Sequence, residues 1–575
     1  MADEKPAQQD IPISDAPASE AAVAAPATED ERPPRSKFRT LMITLALYMV
    51  MFIAALDQTV VATAIPTITH DLHSAAGYTW IGGAYLLASA SCGTIWVKCS
   101  DIWGRKPLIL ISVFVFAVAS LIAALAVNMP MLIAARALQG IGSGGLMQLV
   151  AVAIADMFSI RDRSFYFGIM GAVWAVAGGA GPLIGGAFSQ YVTWRWCFWI
   201  NLPVCGLAEL LLIVFLDLHN PRTPLRKGLA VVDWYGSISI LAVVIMILLG
   251  LNLGGATFPW NSSTVICLLV FGSASIALFL YSELRLAKYP LMPLSAFRHL
   301  SNTAVIVVAF GHSMVATGTE FYLPLYFQSV QQASPLHSGL LLLPYVLAAA
   351  VADFVGGLII HRTGKYVVFL QAGCACMTLG TGLYVKFWVN TPLGQLIGFQ
   401  IIAAVGMALL FQTPMLAVQN SVHKSDVASA TSTLSFLRSL ASSLAVVIGG
   451  SIFQNSINTR ASSLATAGLS DSLQDSLNGG NAAANVELIR NITNPAQLEA
   501  VKEAYAYSTR RIFIFYTAIA GLTLLASPFI RQSYMSKEHE ETKTGLKNLS
   551  ERDKKTRPDE VELTTQGRRS QSGTP

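Results

Sequence analysis

An acidic residue, Asp57, lies inside an apolar run of the sequence, MVMFIAALDQTVVATAIPTI over residues 49–68. A basic residue, Arg136, lies inside a second such run, MLIAARALQGIG over residues 131–142. A charge in apolar surroundings must be paired or neutralised, because leaving it isolated costs at least a few kcal/mol. Low polarity favours a protonated carboxyl group, whereas a nearby guanidinium favours the ionised form. A moving Arg136 could therefore switch Asp57 between holding and releasing a proton; the alternative is a static ion pair between two helices.

The composition indicates the surroundings of these two residues. The chain has 575 residues, of which 53% are hydrophobic and 12% are charged, whereas a soluble domain has about one quarter charged residues. The apolar residues form blocks long enough to cross a hydrocarbon layer of about 30 Å as helices. We therefore predict an all-α polytopic membrane protein. The net charge of +5 is small for this length and gives no indication of nucleic-acid binding.

Hydropathy predicts fourteen transmembrane helices. Lys and Arg concentrate in alternate short loops, which are expected to be cytoplasmic, and an even number of helices places both tails in the cytoplasm. The predicted helices span residues 41–65, 79–98, 108–127, 131–154, 166–188, 196–217, 233–252, 263–282, 302–325, 338–360, 368–388, 393–415, 429–453 and 510–530.

Two basic turns suggest an internal repeat. The segments VKCSDIWGRKP (97–107) and GLIIHRTGKYV (357–367) align Gly104 with Gly364, as expected for two related halves. The predicted organisation is a disordered cytoplasmic tail (1–38), an N-terminal six-helix bundle (39–218), two extra helices with linkers (219–300), a C-terminal six-helix bundle (301–535) with a long extracellular loop (454–509), and a second disordered cytoplasmic tail (536–575).

Five motifs carry a family resemblance. They are LDQTVVATAIP (56–66), DIWGRK (101–106), RALQGIGSGG (136–145), GAGPLIGG (179–186) and WRWCFWINLP (194–203). In this order the motifs resemble those of the major facilitator superfamily, and in particular its fourteen-spanner drug:H+ antiporter branch, which includes fungal toxin and multidrug efflux pumps. The resemblance covers about residues 40–530. One departure is Val97, where the loop motif normally begins with Gly.

The resemblance implies that the loop motif forms a cytoplasmic latch, which holds the two halves together in one state and releases them in another. The alternative is an ordinary charged turn that fixes the orientation of the chain. The latch motif comprises Asp101, Gly104, Arg105 and Lys106.

The antiporter Gly-Pro motif is the part of the resemblance most specific to antiporters. Its small residues permit close helix packing and its proline permits a bend, so that the motif is implied to seal or flex the transport cavity. Plain helix packing is the alternative. The motif comprises Gly181, Pro182, Gly185 and Gly186.

Aromatic residues within the predicted helices are candidates for a pocket that binds bulky lipophilic molecules. Glu320, near the outer end of helix nine, could receive a cationic or proton-bearing substrate, or merely be wetted by the outer vestibule. The candidate aromatic residues are Trp174, Phe321, Tyr322, Phe411 and Phe436. Four further polar residues within predicted helices receive no role: Glu209, His312, Asp353 and Arg438.

The sequence favours a transporter over an enzyme. It contains no GxxxxGK[ST], HExxH or GxSxG motif, and such motifs mark ATP hydrolysis and common hydrolases. The seven cysteines have no CxxC spacing, so we predict no metal and no cofactor. The predicted function is proton-coupled efflux of small lipophilic molecules such as toxins, secondary metabolites or drugs, by a monomer whose partners are its substrate, protons and the lipid bilayer.

Two other functions stay open. One is uptake or vacuolar transport of basic amino acids or siderophore-like chelates, and the other is a receptor or scaffold that no longer transports. The predicted location is the plasma membrane, with the vacuolar membrane as the alternative. Of three Asn-x-Ser/Thr sequons, Asn491 and secondarily Asn261 lie on the predicted outside and are candidate glycosylation sites, whereas Asn548 lies inside.

Overall fold

A computed structural model describes residues 36–72, 77–218, 221, 223–254, 258–286, 299–422, 426–477, 482, 485–537 and 545. Within these residues fourteen helices are long and apolar enough to cross a membrane, which confirms the predicted number. They are α1 (Lys37–Asp71), α2 (Gly77–Trp103), α3 (Arg105–Ala124), α4 (Met129–Met157), α5 (Ile160–Tyr191), α6 (Trp196–Phe215), α7 (Trp234–Leu253), α8 (Ser263–Tyr281), α9 (Leu300–Ser329), α10 (Pro335–Thr363), α11 (Val367–Tyr384), α12 (Leu393–Ser421), α13 (Val427–Asn458) and α14 (Pro495–Ala526).

Local sequence explains where several helices begin. The Asn128 side chain accepts a hydrogen bond from the backbone N–H of Met131 at the start of α4. Ser159 and Ser334 cap α5 and α10 in the same way, through side-chain oxygens that accept from backbone N–H groups three residues later. Such caps satisfy N–H groups that have no partner inside the helix.

The two aligned glycines both have a positive φ angle. Gly104, between α2 and α3, has φ 95° and ψ 157°, and Gly364, at the end of α10, has φ 72° and ψ 7°. Positive φ values are avoided by other residues because of their Cβ atom. Both turns therefore favour glycine, but their different ψ angles show that they do not share one conformation.

The helix contacts group the molecule into two bundles. Helices α1–α6 pack on one another, α9–α14 form the second group, and α5 packs along α10 between them. The extra helices α7 and α8 pack together, and α7 also contacts α2 and α13. The arrangement is six helices, two extra helices and six helices.

The last helix differs from its prediction. Helix α13 continues to Asn458 and α14 begins at Pro495, so the extracellular connection spans 459–494 and the predicted loop 454–509 is wrong at both ends. Charged residues such as Lys502 and Glu503 kept the start of α14 below the hydropathy threshold. The helix nevertheless continues there, because a helix can extend past the hydrocarbon layer into water.

The described residues of the connection between α13 and α14 are folded. Two short helices, Ala461–Thr466 and Asp471–Ser476, are followed by a 3-10 turn, Val486–Asn491. Leu464, Leu477 and Ile489 are fully buried beneath them. Arg490 donates a hydrogen bond to the Ala333 carbonyl in the connection between α9 and α10, which attaches this segment to the C-terminal bundle.

Candidate functional site

Asp57 of α1 and Arg136 of α4 form an ion pair inside the N-terminal bundle. Each residue is only 1% exposed. Helix α1 continues to Asp71, beyond the end at residue 65 that the sequence predicted. The ion pair joins α1 to α4.

Two amide side chains complete the environment of the Asp57 carboxylate. Its Oδ1 atom accepts hydrogen bonds from Asn201 Nδ2 at 2.9 Å and Gln139 Nε2 at 3.3 Å. Both amides also donate to Ser120 Oγ, at 3.1 Å and 2.7 Å respectively. The carboxylate is thus surrounded by side-chain donors from α4 and α6.

Arg136 also contacts α2 through its remaining interactions. Its Nη1 donates to Gln139 Oε1 at 2.9 Å, and its Nε donates to the Ile81 carbonyl of α2 at 3.0 Å. The guanidinium lies 4.3 Å from the centroid of the Tyr85 ring, a cation–π geometry. Tyr85 in turn donates to Ser143 Oγ at 2.6 Å. A displacement of α2 would therefore act directly on the partner of Asp57.

Sequence reasoning missed three members of this network. Gln139 follows Arg136 by three residues and so lies on the same helix face, a usable signal. Asn201 is the one amide in WRWCFWINLP. Ser120 lies in an apolar stretch of α3 with no feature that marks it.

The latch motif pairs within the N-terminal bundle. Arg105 Nη1 lies 2.6 Å from Asp101 Oδ1, and Arg105 Nε lies 2.8 Å from Asp156 Oδ2 at the end of α4. Lys106 Nζ donates to the Ile213 carbonyl of α6 at 2.8 Å. The motif thus joins α2, α3, α4 and α6. Asp156 was not expected from the sequence, and the role of the motif as a latch between halves stays a prediction.

Contacts between the bundles are made by the next cytoplasmic connection, at the start of α5. Arg161 Nε donates to the His361 carbonyl of α10 at 2.7 Å, and His361 Nδ1 lies 3.4 Å from Asp162 Oδ1. Arg163 Nη1 donates to Gln419 Oε1 of α12 at 3.3 Å. These contacts hold the cytoplasmic ends of the bundles together, so the structure is closed on that side.

The Gly-Pro motif lies on the face of α5 that packs against α1. A Cβ atom on Gly181 would overlap the Thr59 side chain, two residues after Asp57. Thr59 Oγ1 also lies 3.2 Å from the Ala177 carbonyl, which accepts its hydrogen bond. Gly185 is buried, Gly186 faces open space, and the Pro182 side chain lies outside the description. Gly181 is therefore required for close packing beside Asp57.

The candidate pocket residues are only partly brought together. Trp174 of α5 and Phe411 of α12 meet across the bundles, with ring centroids 6.4 Å apart. Glu320 and Phe321 are exposed. Tyr322 is buried and donates to a backbone carbonyl of α13 at 2.6 Å. Of the candidate aromatic residues, Trp174 and Phe411 are therefore the two that are placed to contact one molecule between the bundles.

Phe436 lies elsewhere. It is buried in an apolar cluster with Ile240, Val243 and Phe279, on the two extra helices α7 and α8. Leu87 of α2 packs against the same cluster. Phe436 therefore attaches the extra helices to the bundles and is not beside Trp174 and Phe411.

The C-terminal bundle has a polar cluster of its own around Arg438 of α13. Arg438 Nη2 donates to the Phe411 carbonyl at 2.6 Å and lies 3.4 Å from His312 Nδ1. His312 Nε2 lies 2.9 Å from the Met407 carbonyl. Pro414, inside α12, has no N–H for the Leu410 carbonyl four residues earlier, and Arg438 Nη2 lies 3.4 Å from that carbonyl. Arg438 thus stabilises α12 where the proline interrupts it.

Two of the three sequons lie in the described part of the chain. Asn261, between α7 and α8, and Asn491, at the end of the 3-10 turn, are both exposed. Asn548 lies outside the described residues. Exposure on the outer side is what glycosylation of Asn491 and Asn261 requires, and their modification stays a prediction.

Two six-helix bundles with two extra helices between them, and a buried charge network in the first bundle, are the architecture of a polytopic membrane transporter. The profile of the Major Facilitator Superfamily matches residues 47–446. The chain therefore belongs to the major facilitator superfamily and is a transporter, not an enzyme.

Fungal relatives match along nearly the whole chain. It is 42% identical over 512 residues to the MFS-type transporter ppz2 of Metarhizium majus, covering 89% of this chain and 88% of the relative. It is 42% identical over 516 residues to the efflux pump dotC of Dothistroma septosporum, with the same coverage. The efflux pump FUS6 of Gibberella moniliformis is 34% identical over 525 residues, covering 90% of this chain and 93% of the relative.

Solved structures share the fold. The human organic anion transporter MFSD10 aligns with a TM-score of 0.55 at 15% identity, covering 86% of this chain and 100% of that chain. The proton:xylose symporter XylE aligns with a TM-score of 0.55 at 13% identity, covering 90% of this chain and 99% of that chain. At these identities the likeness concerns the fold alone.

Proposed function

We propose that this chain exports small lipophilic molecules from the cytoplasm in exchange for protons. The relatives named as efflux pumps support the direction of transport. The observation that carries the proton coupling is the buried ion pair of Asp57 and Arg136. A proton can bind Asp57 only when Arg136 withdraws, because the guanidinium favours the ionised form.

The contacts of Arg136 suggest how such withdrawal is driven. The guanidinium is attached to α2 through the Ile81 carbonyl and the Tyr85 ring. Helix α2 also packs against α13 of the other bundle. When the bundles rock about the central cavity, α2 would pull Arg136 away from Asp57, which then takes a proton from the outer side. The reverse movement would return Arg136 and release the proton inside.

The driving force is sufficient for export. One elementary charge that crosses 100 mV contributes about 2.3 kcal/mol, and a pH difference of one unit contributes about 1.4 kcal/mol per proton. Together these exceed the free energy of a hundredfold concentration ratio, about 2.8 kcal/mol at 1.4 kcal/mol per factor of ten.

For the cargo, we favour a molecule with an aromatic or extended apolar face. Trp174 and Phe411 approach each other from opposite bundles, so a flat molecule between them would contact both halves. Glu320 is exposed and would attract a positive group on such a molecule. We further propose that the protein works as a monomer in the plasma membrane, where export removes the cargo from the cell; the vacuolar membrane is the alternative.

Reconstitution tests this proposal. Purified protein in liposomes receives an imposed pH gradient without ATP, and movement of alizarin, rhodamine 6G, lysine and ferrichrome is followed. We expect gradient-driven movement of a lipophilic probe by the unmodified protein and none by Asp57→Asn. Asp71→Asn is the matched control, since Asp71 lies on the same helix but at its outer end, where it accepts from Trp194 Nε1 at 2.9 Å.

The outcomes separate the alternatives. Equal gradient-driven movement by the unmodified protein and Asp57→Asn removes Asp57 from the coupling. Movement of lysine or ferrichrome alone favours the amino-acid or chelate transporter. No gradient-driven movement of any probe, with a protein that folds normally, contradicts proton-coupled export of this substrate class.

A further inference from the structure

A second buried carboxyl group lies between the two bundles. Asp353 of α10 is 7% exposed and faces α5. A Cβ atom on Gly171 of α5 would overlap the Asp353 carboxyl group. One turn toward the cytoplasm, a Cβ atom on Gly168 would lie 3.2 Å from the Cα atom of Gly357. The absence of side chains on these glycines lets the helices enclose the carboxyl group.

The surroundings of Asp353 contain few polar groups. Ser164 of α5 and Gln412 and Thr413 of α12 line a small cavity beside it. Thr413 Oγ1 donates to the Leu409 carbonyl at 2.5 Å. Among the described residues none donates a hydrogen bond to the Asp353 carboxyl group. Its setting therefore differs from that of Asp57, which has donors from two helices.

The charged groups near this site lie on several helices. Arg438 of α13 acts electrostatically on Asp353, and His312 of α9 lies behind Arg438. The Nη2 atom of Arg438 already donates to the Phe411 carbonyl, and its Nε atom is buried without a partner in the described chain. On α5 the charged residues, Arg161, Asp162 and Arg163, are at the cytoplasmic end of the helix, where they bond to other groups.

An ionised carboxylate without hydrogen-bond donors is costly to bury, whereas a neutral carboxyl group is much less so. Closure of α5 on α10 therefore favours a proton on Asp353. When the helices separate at the cytoplasmic side, water reaches the group and Arg438 stabilises its ionised form. The O–H bond then breaks, the proton passes to cytoplasmic water, and the carboxylate remains opposite Arg438.

We propose that Asp353 is a proton-dependent lock on the cytoplasmic side of the transporter, protonated while α5 and α10 are in contact and ionised when they part. This goes beyond the export proposal and does not depend on the cargo. Because closure takes up a proton, acidification favours the closed form, and the closed form is lost as pH rises.

The distance between the cytoplasmic ends of the bundles tests the lock. Spin labels are placed on Lys37→Cys of α1 and Thr363→Cys of α10, both exposed sites, in the full chain without its seven native cysteines. The protein is held in lipid nanodiscs without cargo, from about pH 5 to about pH 9. Within the titration window, the ratio of open to closed forms should rise by about tenfold per pH unit, as one linked proton requires.

Asp353→Asn should stay closed at every pH, because its neutral amide imitates the protonated acid. His361→Gln is the matched control, since it removes another titratable group from the same interface and should keep the pH response. Gly171→Ala should disfavour closure at every pH, because its methyl group occupies the space of the carboxyl group.

Two results would overturn the lock. One is an Asp353→Asn protein that opens with rising pH as the unmodified protein does, and the other is a His361→Gln protein that has lost the response. The measurement contains no cargo and no proton gradient. A failure of export in liposomes therefore does not contradict the lock. An Asp353→Asn protein that contradicts the lock likewise does not contradict the export proposal.

Discussion

Two buried carboxyl groups, one from each bundle, lie in opposite surroundings. Asp57 lies within the N-terminal bundle, where Arg136, Asn201 and Gln139 surround it. Asp353 lies at the edge of the C-terminal bundle, against a glycine of α5 and without a hydrogen-bond donor among the described residues. The first carboxyl group is thus surrounded by donors from its own bundle, whereas the second lies at the contact between the bundles.

The difference in position determines what can change each charge. Helices α1, α4 and α6 belong to one bundle, so Asp57 and its donors all lie within that bundle. Asp353 lies where two bundles meet, so any rocking motion exposes it directly. We therefore expect the stability of the protein to fall by different amounts when each carboxyl group is replaced by an apolar side chain.

The largest expected effect comes from Asp57→Leu. It leaves Arg136 buried without its partner, and breaking a buried pair in this way costs about 3–5 kcal/mol. We expect a large fall in the thermal unfolding temperature, followed by intrinsic tryptophan fluorescence in detergent. Asp353→Leu is the matched comparison and should cost far less. Similar losses in the two variants would contradict the assignment of different surroundings.

A second substitution tests the packing beside Asp57. Gly181→Ala places a methyl group against Thr59, and such overpacking costs about 1–3 kcal/mol. Gly186→Ala, in the same motif, adds a methyl group in open space and should be almost neutral. Thermal unfolding and liposome transport of the two proteins measure the difference. If both alanines have the same effect, the close approach of α5 to α1 is not what the motif provides.

A smaller effect is expected from Asn201→Ala. It removes one donor from Asp57 while Arg136 and Gln139 stay in place, a loss of about 1–2 kcal/mol. The unfolding temperature should fall less than in Asp57→Leu. The double variant Asn201→Ala with Asp57→Asn should be non-additive, because the two residues share one hydrogen bond. Strict additivity would indicate that the amide does not act on Asp57.

The smallest expected effect is that of Asn491→Gln, which lies far from both carboxyl groups. We expect the loss of one glycan, visible as increased gel mobility of protein from a eukaryotic host, with unchanged transport and pH response. Asn261→Gln tests the second exposed sequon in the same way. No mobility change in either variant would remove glycosylation at these sites from the proposal.

The sequence predicted the number of helices, because an apolar block of about twenty residues is recognised even when its ends are placed wrongly. It also predicted that Asp57 and Arg136 meet, since an intramembrane charge needs a partner. It could not predict Ser120, because a serine in an apolar helix carries no periodic signal. Asp353 received no role for a related reason: periodicity does not tell which face of a helix meets another bundle.

Two further differences have local physical causes. Phe436 was predicted to line the pocket, because the sequence does not show whether an aromatic residue of a membrane helix faces a cavity or a neighbouring helix. In the structure it packs against α7 and α8. The start of α14 was missed because Lys502 and Glu503 are polar, although they belong to the helix. Hydropathy locates the hydrocarbon layer, not the helix ends.

The connection between α13 and α14, with two short helices and a 3-10 turn among its described residues, gives the C-terminal half a landmark. Its buried leucines and its tether from Arg490 to Ala333 fix it to the C-terminal bundle. A transporter of two similar halves is otherwise hard to orient in single-particle images. An antibody fragment raised against this segment would distinguish the halves and add rigid mass outside the detergent micelle.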